Sequence, residues 1–371
     1  CIRDRCSGVA ILGVILLRDT ASRRRWGLSK LFEGNLASVG ALALGLSAVL
    51  FLLVLFEVAF LPLRYIASRH AAPDLALDQP HNLEARDRYG WAGIPGVFRH
   101  RCDAKGDHPG FDVTYTQNEF GHRVVDDLHK NATKHLAFFG CSFTFGTGVQ
   151  DIDTLPAKVA VYLPGYRAYN FAFDGWGPAQ AVSLLQEEEI TQEIKEPEGV
   201  GVYVFIEDHV RRAISSMRRR NAWTREFPVY NLDGAAPENL GPFSRVQPIR
   251  TWLYAVLRHE QFFAYSGLDW PITPSAADCE YTAKLIAATR DLYLKRFPGS
   301  RFLVLIHPLH GDLRGTQMTI DALVKLDVPV LNYVGMLDGA NPAYSLSDTH
   351  PTALANKLIA HRLAVDIGRA L

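Results

Sequence analysis

What this sequence has little of narrows the field first. Five cysteines in 371 residues (Cys1, Cys6, Cys102, Cys141, Cys279) are too few to staple a chain of this length, and none stands in the Cys-x-x-Cys or Cys/His spacing that holds zinc. Excess charge of either sign is missing too. With 39 Lys and Arg against 39 Asp and Glu, no mean positive field collects a phosphate backbone, and nucleic acid is not an expected partner. Internal repeats and low-complexity tracts are absent, which removes solenoid and disordered classes. What is present is 48% hydrophobic and 11% aromatic, with 29 Gly and 20 Pro. That composition builds a sizeable core in one large or two ordinary domains.

One long uncharged run stands out. From Leu36 to Phe56 there is no charge, and beyond Glu57 the apolar character continues to Leu63. The run is long enough to cross a hydrocarbon core of about 30 Å as a helix. A buried core helix is the alternative, but such a helix normally carries a polar stripe, and this run is apolar all round. Arg3, Arg5, Arg18, Arg23, Arg24, Arg25 and Lys30 precede it, whereas only Arg64 and Arg69 follow closely. The positive-inside bias then places residues 1–35 in the cytoplasm, 36–63 in the membrane and the rest on the outer side, periplasmic or cell-surface. A cleaved signal peptide competes with this reading, but the apolar stretch is long and no small-x-small site follows. The shorter run Gly8–Leu17 cannot span. The first methionine is Met217, so residue 1 is not expected to be the natural start.

Residues 64–90, rich in Ala, Asp, Pro and His, read as a linker, with a globular domain over 91–371. There the pattern alternates. Short β-type runs at Leu136–Phe139, Ala168–Phe171, Val202–Ile206, Phe302–Ile306 and Val328–Leu331 are interleaved with helical patterns at Leu155–Tyr162, Ala179–Ile194, Cys279–Phe297, Thr316–Leu326 and Pro351–Leu371. Strand then helix, five times, predicts an α/β domain: a three-layer α/β/α sandwich around a five-stranded parallel sheet. Residues 218–277 break the rhythm and read as an insertion after the third strand.

In open α/β sheets chemistry sits beyond the carboxyl ends of the strands. After the first strand comes Gly140-Cys141-Ser142-Phe143, where a strand-to-helix turn presents a serine hydroxyl beside backbone N–H groups suited to an oxyanion. The same serine would serve equally as an ordinary turn residue capping the next helix. After the second strand, Asn170 to Gly177 places Gly175 where a backbone N–H could approach a bound group. After the fifth, Ser347-Asp348-Thr349-His350-Pro351 combines a base with the carboxylate that would fix its tautomer. Asp348 as a helix cap and His350 as a solvated loop residue is the plainer alternative.

Taken together, these segments resemble the SGNH/GDSL hydrolase superfamily, through Gly140-Cys141-Ser142-Phe143, Asn170 to Gly177 and Asp348-Thr349-His350-Pro351. Asn118-Glu119-Phe120-Gly121-His122-Arg123 is similar to the segment preceding the nucleophile strand in extracytoplasmic members, distantly including the alginate O-acetylation proteins. The resemblance covers about Asn118 to the C-terminus. It implies a flavodoxin-like fold and a serine esterase or acyltransferase with Ser142 as nucleophile, His350 as base, Asp348 orienting it, and the N–H groups of Ser142 and Gly175 holding the oxyanion. Water as acceptor makes an esterase; a sugar hydroxyl makes an O-acyltransferase. Acyl, chiefly acetyl, esters of envelope or exported polysaccharide are the substrates such a location suggests.

Two departures from the family pattern bear on the site. The family often has its Asp three residues before the His, where this chain has Ser347. Its third block, Gly-x-Asn-Asp, reads here Phe205-Ile206-Glu207-Asp208-His209. Asp208 falls in the Asn slot, and an ionised carboxylate cannot donate to an oxyanion; His209 is the favoured replacement donor, and Arg212 reads as a solvated helix residue. A catalytically impaired module that binds glycans or envelope partners is the competing function. His307 and His310 lack a carboxylate at metal spacing, so no metal is expected. Gly146-x-Gly148 lacks a dinucleotide context, so no cofactor is expected. Cys141 is expected to be a small buried side chain, and Cys102 with Cys279 could form a disulfide.

Overall fold

The computed structural model describes residues 40–52, 54–55, 82–125, 129, 131–187, 189–259, 269–309 and 313–369. The chain divides into two compact units, residues 1–75 with 257–267, and residues 76–256 with 268–371. In the first unit, residues 40–52 are helical, and Leu42, Leu46, Phe51 and Leu52 stand exposed on that helix. Among the described residues no helix is long and apolar enough to cross a membrane. Much of the expected span, 36–39, 53 and 56–63, lies outside the described residues, as do 1–35.

The second unit opens with two antiparallel pairs, β1 (Leu83–Arg86) with β2 (Gly90–Gly93) and β3 (Gly96–Cys102) with β4 (Phe111–Gln117). These pairs were not expected, and β1 lies inside the stretch read as a linker. Their strands are short and half exposed, so no apolar run announces them. The alternating part then begins with β5 (Lys134–Phe139), α1 (Ser142–Phe145), α2 (Leu155–Tyr162), β6 (Tyr166–Asn170), α3 (Pro178–Gln186) and α4 (Glu189–Glu193). After these come β7 (Glu198–Phe205) and α5 (Asp208–Ala213). The expected helix Ala179–Ile194 is therefore two pieces, parted where Glu187 turns extended.

The insertion holds α6 (Met217–Ala222), the antiparallel pair β8 (Pro228–Asn231) and β9 (Glu238–Pro242), α7 (Phe243–Val246) and α8 (Pro248–His259). Along α8, Ile249, Trp252, Leu253 and Val256 recur at helical spacing and are exposed. The chain closes with α9 (Ala276–Arg296), β10 (Arg301–Ile306), α10 (Leu313–Lys325), β11 (Val330–Asn332) and α11 (Ala353–Arg369).

Five strands, ordered β11-β10-β7-β5-β6 and all parallel, form the central sheet. Period-two alternation sends the side chains of β5 to opposite faces. Leu136 and Phe138 join Val159 of α2 with Ile359 and Leu363 of α11; Ala137 and Phe139 join Leu184 of α3, Ile286 of α9 and Leu323 of α10. Both faces are thus covered, which explains why these strands read as continuous apolar runs. Each large side chain so buried contributes about 1.5–3 kcal/mol. In chain order the sheet strands run 2-1-3-4-5 across the sheet, so connections leave in opposite directions from β5 and β7. Such a switch point is where open α/β sheets commonly bind ligands, and here it lies beyond the ends of β5 and β7, between the residues after Phe139 and those after Phe205.

Candidate active site

The turn after β5 is shaped by steric exclusion. Gly140 has φ +153°, and a Cβ there would lie 2.4 Å from Thr144 Oγ1. Cys141 then points inward, fully buried against Phe143 and Ile206. Burial pushes its thiol pKa up although Arg212 opposes the shift, so Cys141 is held as an inert thiol. Ser142 follows as the first residue of α1.

Because α1 is a single turn, its carbonyls need outside partners. Arg123, buried and stacked on Tyr115 (4.2 Å to the ring centre), serves the last of them and the turn that follows. Its guanidinium donates to the carbonyls of Phe145 (3.1 Å), Gly146 (2.7 Å) and Val149 (2.7 Å) and to Asp151 (2.9 Å). Asn170 Nδ2 donates to Thr144 O at 3.0 Å, and Gly148 N–H donates to the Tyr115 hydroxyl at 2.8 Å. Asn118 accepts from the N–H groups of Phe120 and His122, closing the loop that aims Arg123. The Asn-x-x-Gly-x-Arg segment is thus a clamp on the serine turn.

His350 is brought to the same place. Phe143, the neighbour of Ser142, packs against its ring, with centroids 5.3 Å apart. Asp348 accepts from the backbone N–H of His350 at 3.2 Å, and its other oxygen lies 2.9 Å from His350 Nδ1, obliquely. Burial opposes ionisation of Asp348, yet the contacts with His350 outweigh it and hold the carboxyl below its ordinary range. Thr349 between them has φ +74°, and this left-handed step lets one carboxylate reach both the backbone and the ring two residues on. Ser347, at the three-residue spacing, points elsewhere, with its hydroxyl 3.5 Å from Cys102 Sγ.

Beyond β6 the chain turns at Asp174-Gly175, with Gly175 at φ +75°. Three indoles surround this turn. Trp91 Nε1 donates to Asp174 O at 3.0 Å, and Trp176 Nε1 donates to Trp91 O at 2.9 Å. Trp223 lies with Nε1 3.3 Å from the place a Cβ on Gly175 would take.

Both candidates from the third block are buried. His209 is fully buried, its Nδ1 2.9 Å from the Tyr203 hydroxyl and its ring edge-on to Tyr203 and Phe205. Asp208 accepts from Arg212 Nε at 2.7 Å and Arg219 Nε at 2.8 Å. Burial alone would raise its pKa, but the two guanidinium groups outweigh this and hold the carboxyl at about 2. Arg212 is itself buried and donates to Trp176 O at 2.7 Å, so it is no solvated helix residue. An Asp four residues before an Arg on one helix face was the available signal that Arg212 is paired, whereas nothing in the sequence singles out Trp223.

The remaining expectations fall away from the site. Cys102 and Cys279 are not joined in a disulfide, and Cys279 is buried with its thiol on Gly315 O. His307 is buried against Phe143, and His310 lies outside the described residues. Among the described residues no group of His, Cys, Asp and Glu is arranged to hold a metal ion.

No protein-family model matches this chain, and no curated protein does. Solved structures overlay on part of it. A member of the lipolytic G-D-S-L family from Veillonella parvula superposes with a TM-score of 0.38 and 11% identity, covering 64% of this chain and 100% of that one. An acetyl xylan esterase from the rumen bacterium Butyrivibrio proteoclasticus gives 0.37 and 11%, with 64% of each chain covered. An acetylxylan esterase from Geobacillus stearothermophilus, in a catalytic mutant form, gives 0.37 and 11%, covering 64% of this chain and 95% of that one. Likeness this distant transfers no chemistry, which the side chains themselves must supply.

Asp208 carries a pH signature. Its pKa of about 2 in the folded chain lies below the ordinary value of about 3.9. Its contribution, on the order of 2 kcal/mol, is therefore complete above pH ~4 and is lost as pH falls through ~2. Asp208→Asn should lower stability to denaturant near neutral pH, and the gap to wild type should close between pH ~4 and ~2. A gap that stays constant over that range would contradict the ion-paired assignment.

Proposed function

We propose that this chain is a serine hydrolase or O-acyltransferase acting on acyl esters. The single observation that carries the reading is the Asp348–His350 pair, built by a strained two-residue turn and packed against the neighbour of Ser142. A carboxylate 2.9 Å from Nδ1 favours the imidazole tautomer and cation that leave Nε2 for the serine. In the proposed cycle Ser142 Oγ attacks the ester carbonyl, and its proton passes to His350 Nε2. The carbonyl electrons move onto oxygen, held by the N–H groups of Ser142 and Gly175. Collapse expels the alcohol, which takes the proton back from His350. Water or a sugar hydroxyl, activated by the same base, then removes the acyl group from the serine.

The substrate class is inferred from location. The run 36–63 and its flanking arginines support a membrane anchor with the α/β domain on the outer side. The exposed stripe Ile249, Trp252, Leu253 and Val256, on a segment that carries Arg245, Arg250 and Arg258 and no acid from Phe243 to His259, is consistent with a domain working close to an anionic bilayer. Acyl esters of envelope or exported polysaccharide, acetyl esters first, are the substrates that fit. The competing reading, an impaired module that binds glycans or envelope partners, draws on the locked state of Asp208 and predicts no turnover.

A fluorophosphonate probe should label the wild-type chain and fail to label Ser142→Ala. Hydrolysis of a short-chain nitrophenyl ester should fall to background in Ser142→Ala and by about 10³–10⁴-fold in Asp348→Asn. Wild-type chain that neither labels nor turns over ester would favour the binding module.

Topology is checked separately. A cysteine introduced by Pro80→Cys should react with a membrane-impermeant thiol reagent in intact cells, beyond the labelling of the unsubstituted chain. Protection until lysis would reverse the orientation and remove exported polysaccharide as substrate.

A further inference from the structure

A tetrahedral oxyanion held only by the N–H groups of Ser142 and Gly175 has room for a third donor. Two nearby side chains are otherwise occupied: Asp208 is an acceptor closed off by Arg212 and Arg219, and His209 is turned into the core against Tyr203. Three indoles surround the Asp174-Gly175 turn, and two have their N–H groups engaged, Trp91 by Asp174 O and Trp176 by Trp91 O. The third differs. Trp223 Nε1 is shielded from solvent and has no acceptor among the described residues. A buried N–H without an acceptor is costly, and that cost is relieved when an acceptor enters beside it.

The position is held from two sides. The edge of Trp223 lies over Gly175, with Nε1 3.3 Å and Cδ1 3.4 Å from where a Cβ would stand, while Trp91 Cζ2, at 2.9 Å from that point, and the φ of +75° reserve the position for glycine. From below, the Arg219 guanidinium lies 5.2 Å from the centre of the Trp223 ring while its Nε donates to Asp208. A cation over an indole face is attractive, more so when shielded from water. Asp208 thus fixes Arg219, and Arg219 fixes the ring.

We propose that Trp223, contributed by the insertion, is the third oxyanion donor of this site, with Asp208 and Arg219 as the residues that position it. The inference rests on the esterase or acyltransferase reading above. As the Ser142 Oγ–carbon bond forms and the proton moves to His350, the carbonyl π electrons settle on oxygen. The Trp223 N–H donates a hydrogen bond to that oxygen and transfers no proton. When the tetrahedral adduct collapses, the negative charge leaves this oxygen and the bond weakens, so the stabilisation belongs to the transition state more than to bound ester.

The test uses the full chain, a short-chain nitrophenyl ester and a fluorophosphonate. Trp223→Phe should lower kcat by about 10²-fold, the scale of one oxyanion donor, with KM changed little and the fluorophosphonate labelling rate reduced in parallel. Trp223→His, which keeps a ring N–H, should recover part of kcat; a merely structural tryptophan would show no such rescue. In ¹⁵N-labelled wild-type chain one indole N–H resonance should move downfield on forming the phosphonyl-serine adduct, and that resonance should be missing from Trp223→His. This last measurement decides the matter even where Trp223→Phe does not fold. Wild-type chain that labels while Trp223→Phe labels equally fast, or an adduct that moves no indole resonance, overturns the role of Trp223 and leaves the Ser142 assignment standing. Wild-type chain that forms no adduct overturns both.

Discussion

A carboxylate shut inside a protein must be neutralised where it stands, and in this chain that requirement organises the switch point. Asp208 sits at the end of the central strand β7 and accepts from Arg212 and Arg219. Breaking such a pair on one side leaves a buried charge uncompensated, which is worth several kcal/mol. Arg212 is in turn committed to the carbonyl of Trp176, beyond β6, and faces the sulfur of Cys141, beyond β5. Arg219 lies against Trp223 of the insertion. One carboxylate therefore ties together the ends of three parallel strands and an added segment, at the place where the strand order reverses.

A second economy appears at the base. The Asp348 side chain holds the His350 backbone N–H with one oxygen and approaches Nδ1 with the other. A two-residue spacing becomes workable because Thr349 takes a left-handed conformation. The serine turn is equally short and equally dependent on help from outside. Its carbonyls are taken by Arg123 and Asn170, from segments far apart in the chain. Geometry at the serine end of the proposed triad is thus imposed by side chains that take no part in the reaction, as positioned chemistry requires.

The central layer was legible because its strands are buried on both faces and read as unbroken apolar runs, Leu136–Phe139 and Val202–Ile206 above all. Ser142, Gly175, Asp348 and His350 were singled out because each lies beyond a strand-like run in the sequence. The hairpins β1 to β4 were not, since half-exposed strands such as Leu83–Arg86 leave no apolar signature. The inward setting of His209 was hidden for a related reason. A helix start after a buried strand can aim its second residue inward, and only the Tyr203 hydroxyl, six residues back, reveals that it does. Arg212 and Trp223 gain their meaning from contacts across the fold, which no local pattern records.

The central claim is that Ser142 carries the acyl group between substrate and acceptor. Wild-type chain mixed briefly with an acetyl ester, quenched in acid and digested should yield an acetylated peptide containing Ser142, with fragmentation placing the acetyl on that serine. The modification should decay when quenching is delayed and should be absent from Ser142→Ala. Ester turnover with acetyl found on Cys141, on another residue, or on no residue under conditions that trap acyl-serines would contradict the account.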